Sequence, residues 1–169
     1  MSDDLNLSPT MFTVQAIKLD GYQAPILRLR ADAWDSLMIS KTSDEFKRIS
    51  IELIPSSSGA EDEPCPVVIV DLQDIKSFTS DSGFALLGHL LKAPIKEKGL
   101  YWVVALVGVH KGIQALHELL RFDELFPIYP NPQGALLEIH RHPRPTSREE
   151  FIKLIQFLCK ARDVEAKAE

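Results

Sequence analysis

The sequence predicts an α/β domain: a mixed sheet of four or five strands with helices packed against it, followed by a C-terminal helical extension. Three observations predict this. Residues 66–72 (PVVIVDL) and 100–109 (LYWVVALVGV) are apolar runs without polar alternation, the mark of strands buried on both faces. Between and after them apolar residues recur at helical spacing, first Phe84, Leu87, Leu90 and Leu91, then Ile113, Leu116, Leu119 and Leu120. The resulting order, strand–helix–strand–helix–strand–helix, implies right-handed crossovers and a largely parallel sheet.

The remaining elements follow in order. Two strands are expected at 12–19 and 25–30, with Asp20-Gly21 opening a turn before the second. Residues 31–54 are ambiguous: Leu37, Ile39, Phe46, Ile49 and Leu53 suit a helix from about Asp44, whereas Ile49, Ile51 and Leu53 alternate like a strand. Pro94 either ends or bends the helix that starts near Gly83, because it lacks a donor and its ring clashes with the preceding turn. A short strand is expected at 126–129 and a short helix at 131–139, with Pro132 in its first turn. Residues 140–145 (HRHPRP) form a stiff basic connector, and Ser147 to Glu150 fits a capping box in which serine and glutamate satisfy each other's backbone donors. Phe151, Ile155, Leu158 and Cys159 then give the terminal helix one apolar face, for packing on the domain or for a homodimer seam. The domain reading is a tail at 1–10, a domain at 11–139 with a mobile loop at 56–63 (SSSGAEDE), and a connector and helix at 140–169.

Composition narrows the function. A chain of 169 residues with 45% apolar and 25% charged residues is a folded single domain, not a disordered one. No apolar run reaches membrane-spanning length, the N-terminus MSDDLNL lacks a signal-peptide pattern, and the terminal helix has no strongly basic face. A soluble, cytoplasmic protein without membrane insertion is expected. Net charge is −5 with scattered Lys and Arg, so nucleic acid is not the expected partner. Cys65 and Cys159 read as reduced thiols. His110, His117, His140 and His142 lack companions at ligand spacing, so no metal is expected. The Gly108-Val109-His110-Lys111-Gly112 turn sits where α/β sheets bind ligands but lacks phosphate-loop spacing, and no cofactor is expected. Trp34 and Trp102 read as structural.

The most informative segment is Phe78-Thr79-Ser80-Asp81-Ser82-Gly83-Phe84, just after a buried strand and opening a helix. Ser80, Asp81 and Ser82 are preferred cap residues. A hydroxyl there can also carry phosphate, since a helix N-terminus offers unpaired N–H donors and stabilises an anion by roughly 0.3–1 kcal/mol. As a hydrolase nucleophile Ser82 lacks the Gly-x-Ser-x-Gly elbow and an assigned base, so an enzyme is not expected.

Together, VVIVDL (67–72), FTSDSGFALL (78–87), LYWVVALVGV (100–109) and LHELLRFDELFPIYPNPQGAL (116–136) resemble the STAS domain family of bacterial anti-sigma-factor antagonists. The resemblance is best over about 67–137; the early strands fit loosely and the terminal helix lies outside it. It implies a STAS-like fold and a non-enzymatic interaction module. By position, the family's phosphorylated hydroxyl is Ser82 and its following glycine is Gly83. The family's aspartate position is Ser80 here, and the acid stands instead at Asp81. Ser80 and Thr79 are then secondary acceptors, and Ser80, Asp81, Ser82, Gly83 and Phe84 the docking loop. The implied partners are an anti-sigma serine kinase and a PP2C-type phosphatase. Two other roles fit the same resemblance: a scaffold subunit of a stressosome-like sensory assembly, and an accessory subunit of a membrane transporter ATPase.

Overall fold

A computed structural model of the chain describes residues 12–29, 33–34, 36–54, 63–75, 77–78, 82–111, 113–114 and 124–168. The N-terminal tail, the acidic segment expected as a loop (except Glu63), and most of the helix expected around Leu116 to Leu120 lie outside these residues.

The first two strands, β1 (Phe12–Leu19) and β2 (Tyr22–Leu29), form an antiparallel hairpin with Leu19 opposite Tyr22. Asp20 and Gly21 have φ of 52° and 83°, so both central positions of the two-residue turn are left-handed, matching the twist of the strands. The second strand starts three residues earlier than its apolar pattern suggested, because the tight turn leaves no loop to spend.

β2 pairs in parallel with β4 (Val67–Asp71), β4 with β6 (Val103–Val107), and β6 with β7 (Ile128–Tyr129), giving a mixed five-stranded sheet in the order β1-β2-β4-β6-β7. A separate two-stranded parallel ladder joins β3 (Ala33–Trp34) to β5 (Ser77–Phe78). Two residues per strand carry no periodicity, and this ladder has no signature in the sequence.

The continuous apolar runs do what burial on both faces requires. Val68, Val70, Val104 and Leu106 face one cluster, with Phe46 and Ile49 of α1 (Ser36–Glu52) and Leu87 and Leu90 of α2 (Ser82–Lys98). Val67, Ile69, Val103, Ala105 and Val107 face the other, with Leu136 and Ile139 of α3 (Pro132–Ile139) and Phe151, Ile155 and Leu158 of α4 (Arg148–Ala168). Among the described residues, α1 and α2 cover one face of the sheet and α3 and α4 the other, a three-layer arrangement.

The ambiguous 31–54 segment is helical from Ser36 to Glu52, eight residues before the start expected near Asp44, and holds β3 at Ala33–Trp34. Phe46 and Ile49, three apart, are buried while Ile51 is 46% exposed; a strand would have put Ile49 and Ile51 on the same side. Pro94 neither ends α2 nor leaves it unsatisfied. The helix runs on to Lys98, and the Leu90 carbonyl, whose partner would have been the N–H at position 94, accepts instead from the Trp102 indole at 2.9 Å. Gly99, at φ 62°, then turns the chain out of the helix.

α3 is capped by Asn131, whose side chain accepts from the Gly134 N–H at 2.8 Å, with Pro132 in the first turn. At the start of α4 the Ser147 hydroxyl accepts from the Glu150 N–H at 3.1 Å, but the reciprocal bond is displaced by one residue. The Glu150 carboxylate takes the Thr146 N–H (3.3 Å) and hydroxyl (3.1 Å) rather than a donor of Ser147. The apolar face of α4 is buried within the chain, so packing on the domain, not a dimer seam, accounts for it. Arg162 of the same helix donates to the Ile128 carbonyl at 3.0 Å and lies 4.8 Å above the Tyr129 ring, which covers the β7 edge. Among the described residues no helix is long and apolar enough to cross a membrane.

Candidate functional site

In a parallel strand–helix–strand unit the helix runs back against the strands, so its N-terminus lies at their carboxyl ends. β4, α2 and β6 form such a unit. α2 begins at Ser82. The residue singled out in the sequence is therefore the first of a helix at the carboxyl pole of the sheet, where unpaired backbone N–H groups favour an anion. Thr79, Ser80 and Asp81 lie outside the described residues, and of Ser82, Gly83 and Phe84 only the backbone is described.

The carboxyl pole is held together by contacts between residues far apart in sequence. Arg28, at the end of β2, makes a two-pronged ion pair with Asp74: Nη2 to Oδ1 at 3.0 Å and Nε to Oδ2 at 3.3 Å. That partner raises the guanidinium pKa above its ordinary value, through the hydrogen bond first and the charge second. Asp71, at the end of β4, accepts the Gln73 N–H at 2.9 Å and so bends the chain sharply as it leaves the sheet. Gly108, at the end of β6, fits over this bend: a Cβ there would lie 2.9 Å from Asp71 Oδ1 and 3.0 Å from the Gln73 nitrogen, and its φ is 69°. Two residues further, the His110 ring meets the Gln73 carbonyl at 2.9 Å through Nε2. Gly108 and His110 thus brace the bend at Asp71 to Gln73, where the chain leaves β4.

Arg28, Asp71, Gln73 and Asp74 were not singled out in the sequence. Each is an ordinary polar residue at a strand end, and only the folded register brings them together. A second feature missed lies along α2. His89, Lys92 and Lys96 fall on one helical face, and with Lys47 of α1 they form an exposed basic surface. The His89 pKa is lowered by partial burial first, then by Lys47, Lys96 and Lys92.

No cluster of metal-ligating side chains occurs among the described residues. Cys65 and Cys159 are both buried and not joined by a disulfide, and burial pushes the Cys65 thiol up to about 12.

No family model matches the chain, and no curated protein matches it in sequence. Solved structures do match in fold. An anti-sigma-factor antagonist (STAS) domain protein from Planctomyces limnophilus superposes with TM-score 0.53 at 20% identity, covering 75% of this chain and 96% of that one. An anti-sigma factor antagonist from Mycobacterium paratuberculosis gives TM-score 0.53 at 16% identity over 78% and 97%. The anti-sigma factor antagonist SpoIIAA in its unphosphorylated form gives 0.51 at 9% over 78% and 97%. The chain has the STAS fold of these proteins.

Proposed function

We propose that the chain is a non-enzymatic anti-sigma-factor antagonist that docks on an anti-sigma serine kinase and is switched off by phosphorylation at Ser82. The observation that carries this is the start of α2 at Ser82, at the carboxyl pole of a STAS-type sheet. In the free domain, a phosphate there gains from the helix end. Across a packed interface its added charge, roughly −1.5 to −2, loses water without an assured cation, at a cost of several kcal/mol. A penalty of about 3–4 kcal/mol weakens binding about 100- to 1000-fold, enough to exchange partners.

In this reading the docking surface comprises the Ser80 to Phe84 loop, the exposed side of α2 and the Gly108 to Gly112 turn. The basic face of His89, Lys92 and Lys96 favours a partner with an acidic rim. The hydroxyls of Ser80 and Thr79 are secondary acceptors, a PP2C-type phosphatase resets the switch, and the protein works in a bacterial cytoplasm. Incubation with a candidate kinase and ATP, followed by intact mass and peptide mapping, tests the assignment. One phosphate on the peptide carrying Ser82 is expected, and no phosphate on this segment removes it.

A further inference from the structure

The two edges of the sheet differ. β7 has two residues, and Arg162 closes over it through the Ile128 carbonyl and the Tyr129 ring. β1 has eight residues in unbroken register with β2, and among the described residues no strand pairs with its outer side.

The hairpin decides which backbone groups of β1 face outward. A two-residue turn makes its flanking residues, here Leu19 and Tyr22, a hydrogen-bonded pair. Bonded pairs then recur at every second residue: Ile17 with Ala24, Gln15 with Ile26, and Thr13 with Arg28. The N–H and C=O groups of Phe12, Val14, Ala16 and Lys18 therefore point away from β2. Pro25 stands opposite Ala16, which agrees, since proline has no N–H to give at a bonded position. Val14, Ala16 and Lys18 are exposed, Val14 to 49%. The devices that blunt an open edge are sparse here: β1 has no proline, no bulge and one charge, Lys18.

We propose that this edge pairs with the same edge of a second copy of the chain, antiparallel about a two-fold axis at Gln15. Centred there, Val14 of each copy exchanges backbone bonds with Ala16 of the other, and Phe12 with Lys18, so every outward group is used. Between these pairs Thr13 meets Ile17, both β-branched, and Gln15 meets Gln15. Lys18 lies opposite Phe12, so no like charges are opposed. The pairing also closes on itself. It joins the two five-stranded sheets into one whose outer edges are both β7, already covered by Arg162. This self-complementary register selects a second copy over a foreign strand.

Sedimentation velocity of the full, unphosphorylated chain over a concentration series tests this, and its failure would leave the Ser82 reading untouched. A monomer–dimer equilibrium is expected, with Kd at or below about 100 µM. Gln15→Lys and Gln15→Glu each set like charges directly opposite across the axis, so each alone should weaken the dimer at least about fivefold. Mixed one to one, the two variants should regain it. Ala16→Pro removes an outward N–H and no bond to β2, and should abolish the dimer; if that variant does not fold, the Gln15 pair decides. A chain still monomeric at about 1 mM, which would leave the edge to a foreign strand, overturns the proposal. So does a dimer unchanged by the Gln15 charges or by a folded Ala16→Pro variant, or a mixture that fails to recover it.

Discussion

The indole N–H of Trp102 donates to the Leu90 carbonyl at 2.9 Å, filling the vacancy that Pro94 opens in α2 four residues further on. A helix-breaking residue is thereby tolerated on the buried face of a helix, and α2 is tied to the start of β6. Trp102→Phe removes the donor and shrinks the buried bicyclic ring to a phenyl, so the Leu90 carbonyl is left buried without that bond beside a small void. A loss of about 1–3 kcal/mol is expected in urea unfolding. Adding Pro94→Ala supplies a backbone N–H to the same carbonyl and should recover part of that loss, giving a measurable coupling between the two sites.

Gly108 has no room for a side chain. Gly108→Ala combines a left-handed backbone, costing about 1–2 kcal/mol, with a Cβ 2.9 Å from Asp71 Oδ1, so either the carboxylate or the bend at Gln73 must move. Thermal unfolding should fall by several degrees, and amide shifts should move at Gln73 and His110. An unchanged melting curve would mean the carboxyl pole is not braced as described.

His140 makes stability depend on pH. Burial lowers its pKa from the ordinary 6.5, so the unfolded chain binds this proton more readily than the folded one. The contribution is fully present above about pH 6.5 and is lost as pH falls below it, until the folded-state pKa is passed. Urea midpoints between pH 8 and 5 should therefore decline on the acid side, and His140→Phe should flatten that decline.

How much of this was legible in the sequence depends on the range of the interactions. β4 and β6 were readable because burial on both faces writes an unbroken apolar run, and the hairpin because Asp20-Gly21 encodes its own turn. The α1 segment was ambiguous because Ile49, Ile51 and Leu53 satisfy a period of two by chance, and only the exposure of Ile51 resolves it. Pro94 marked a weak point in α2, but its remedy comes from an indole beyond the next turn. The shift of the Glu150 bond to Thr146 rests on a preference between adjacent donors that a capping pattern does not encode. At the candidate site, Ser82 was readable as a helix start from its cap-forming neighbours. The Arg28–Asp74 pair and the fit of Gly108 over Asp71 needed the register of three strands.

Both thiols are inside the second core cluster, and Cys65 is held protonated by burial, its pKa pushed up to about 12. Neither should react with a thiol reagent such as DTNB at pH 8 in the folded protein, whereas two thiols should react in urea. Rapid labelling of the native chain would show that α4 opens readily from the sheet.

The switch stands or falls on what a negative charge at the start of α2 does to docking. Binding of the anti-sigma kinase to Ser82→Ala and Ser82→Asp, compared by calorimetry at one salt concentration, measures this most directly. The alanine variant is expected to keep the affinity of the unmodified protein, and the aspartate variant to bind about 100-fold or more weakly. Equal affinities for the two variants would contradict the account.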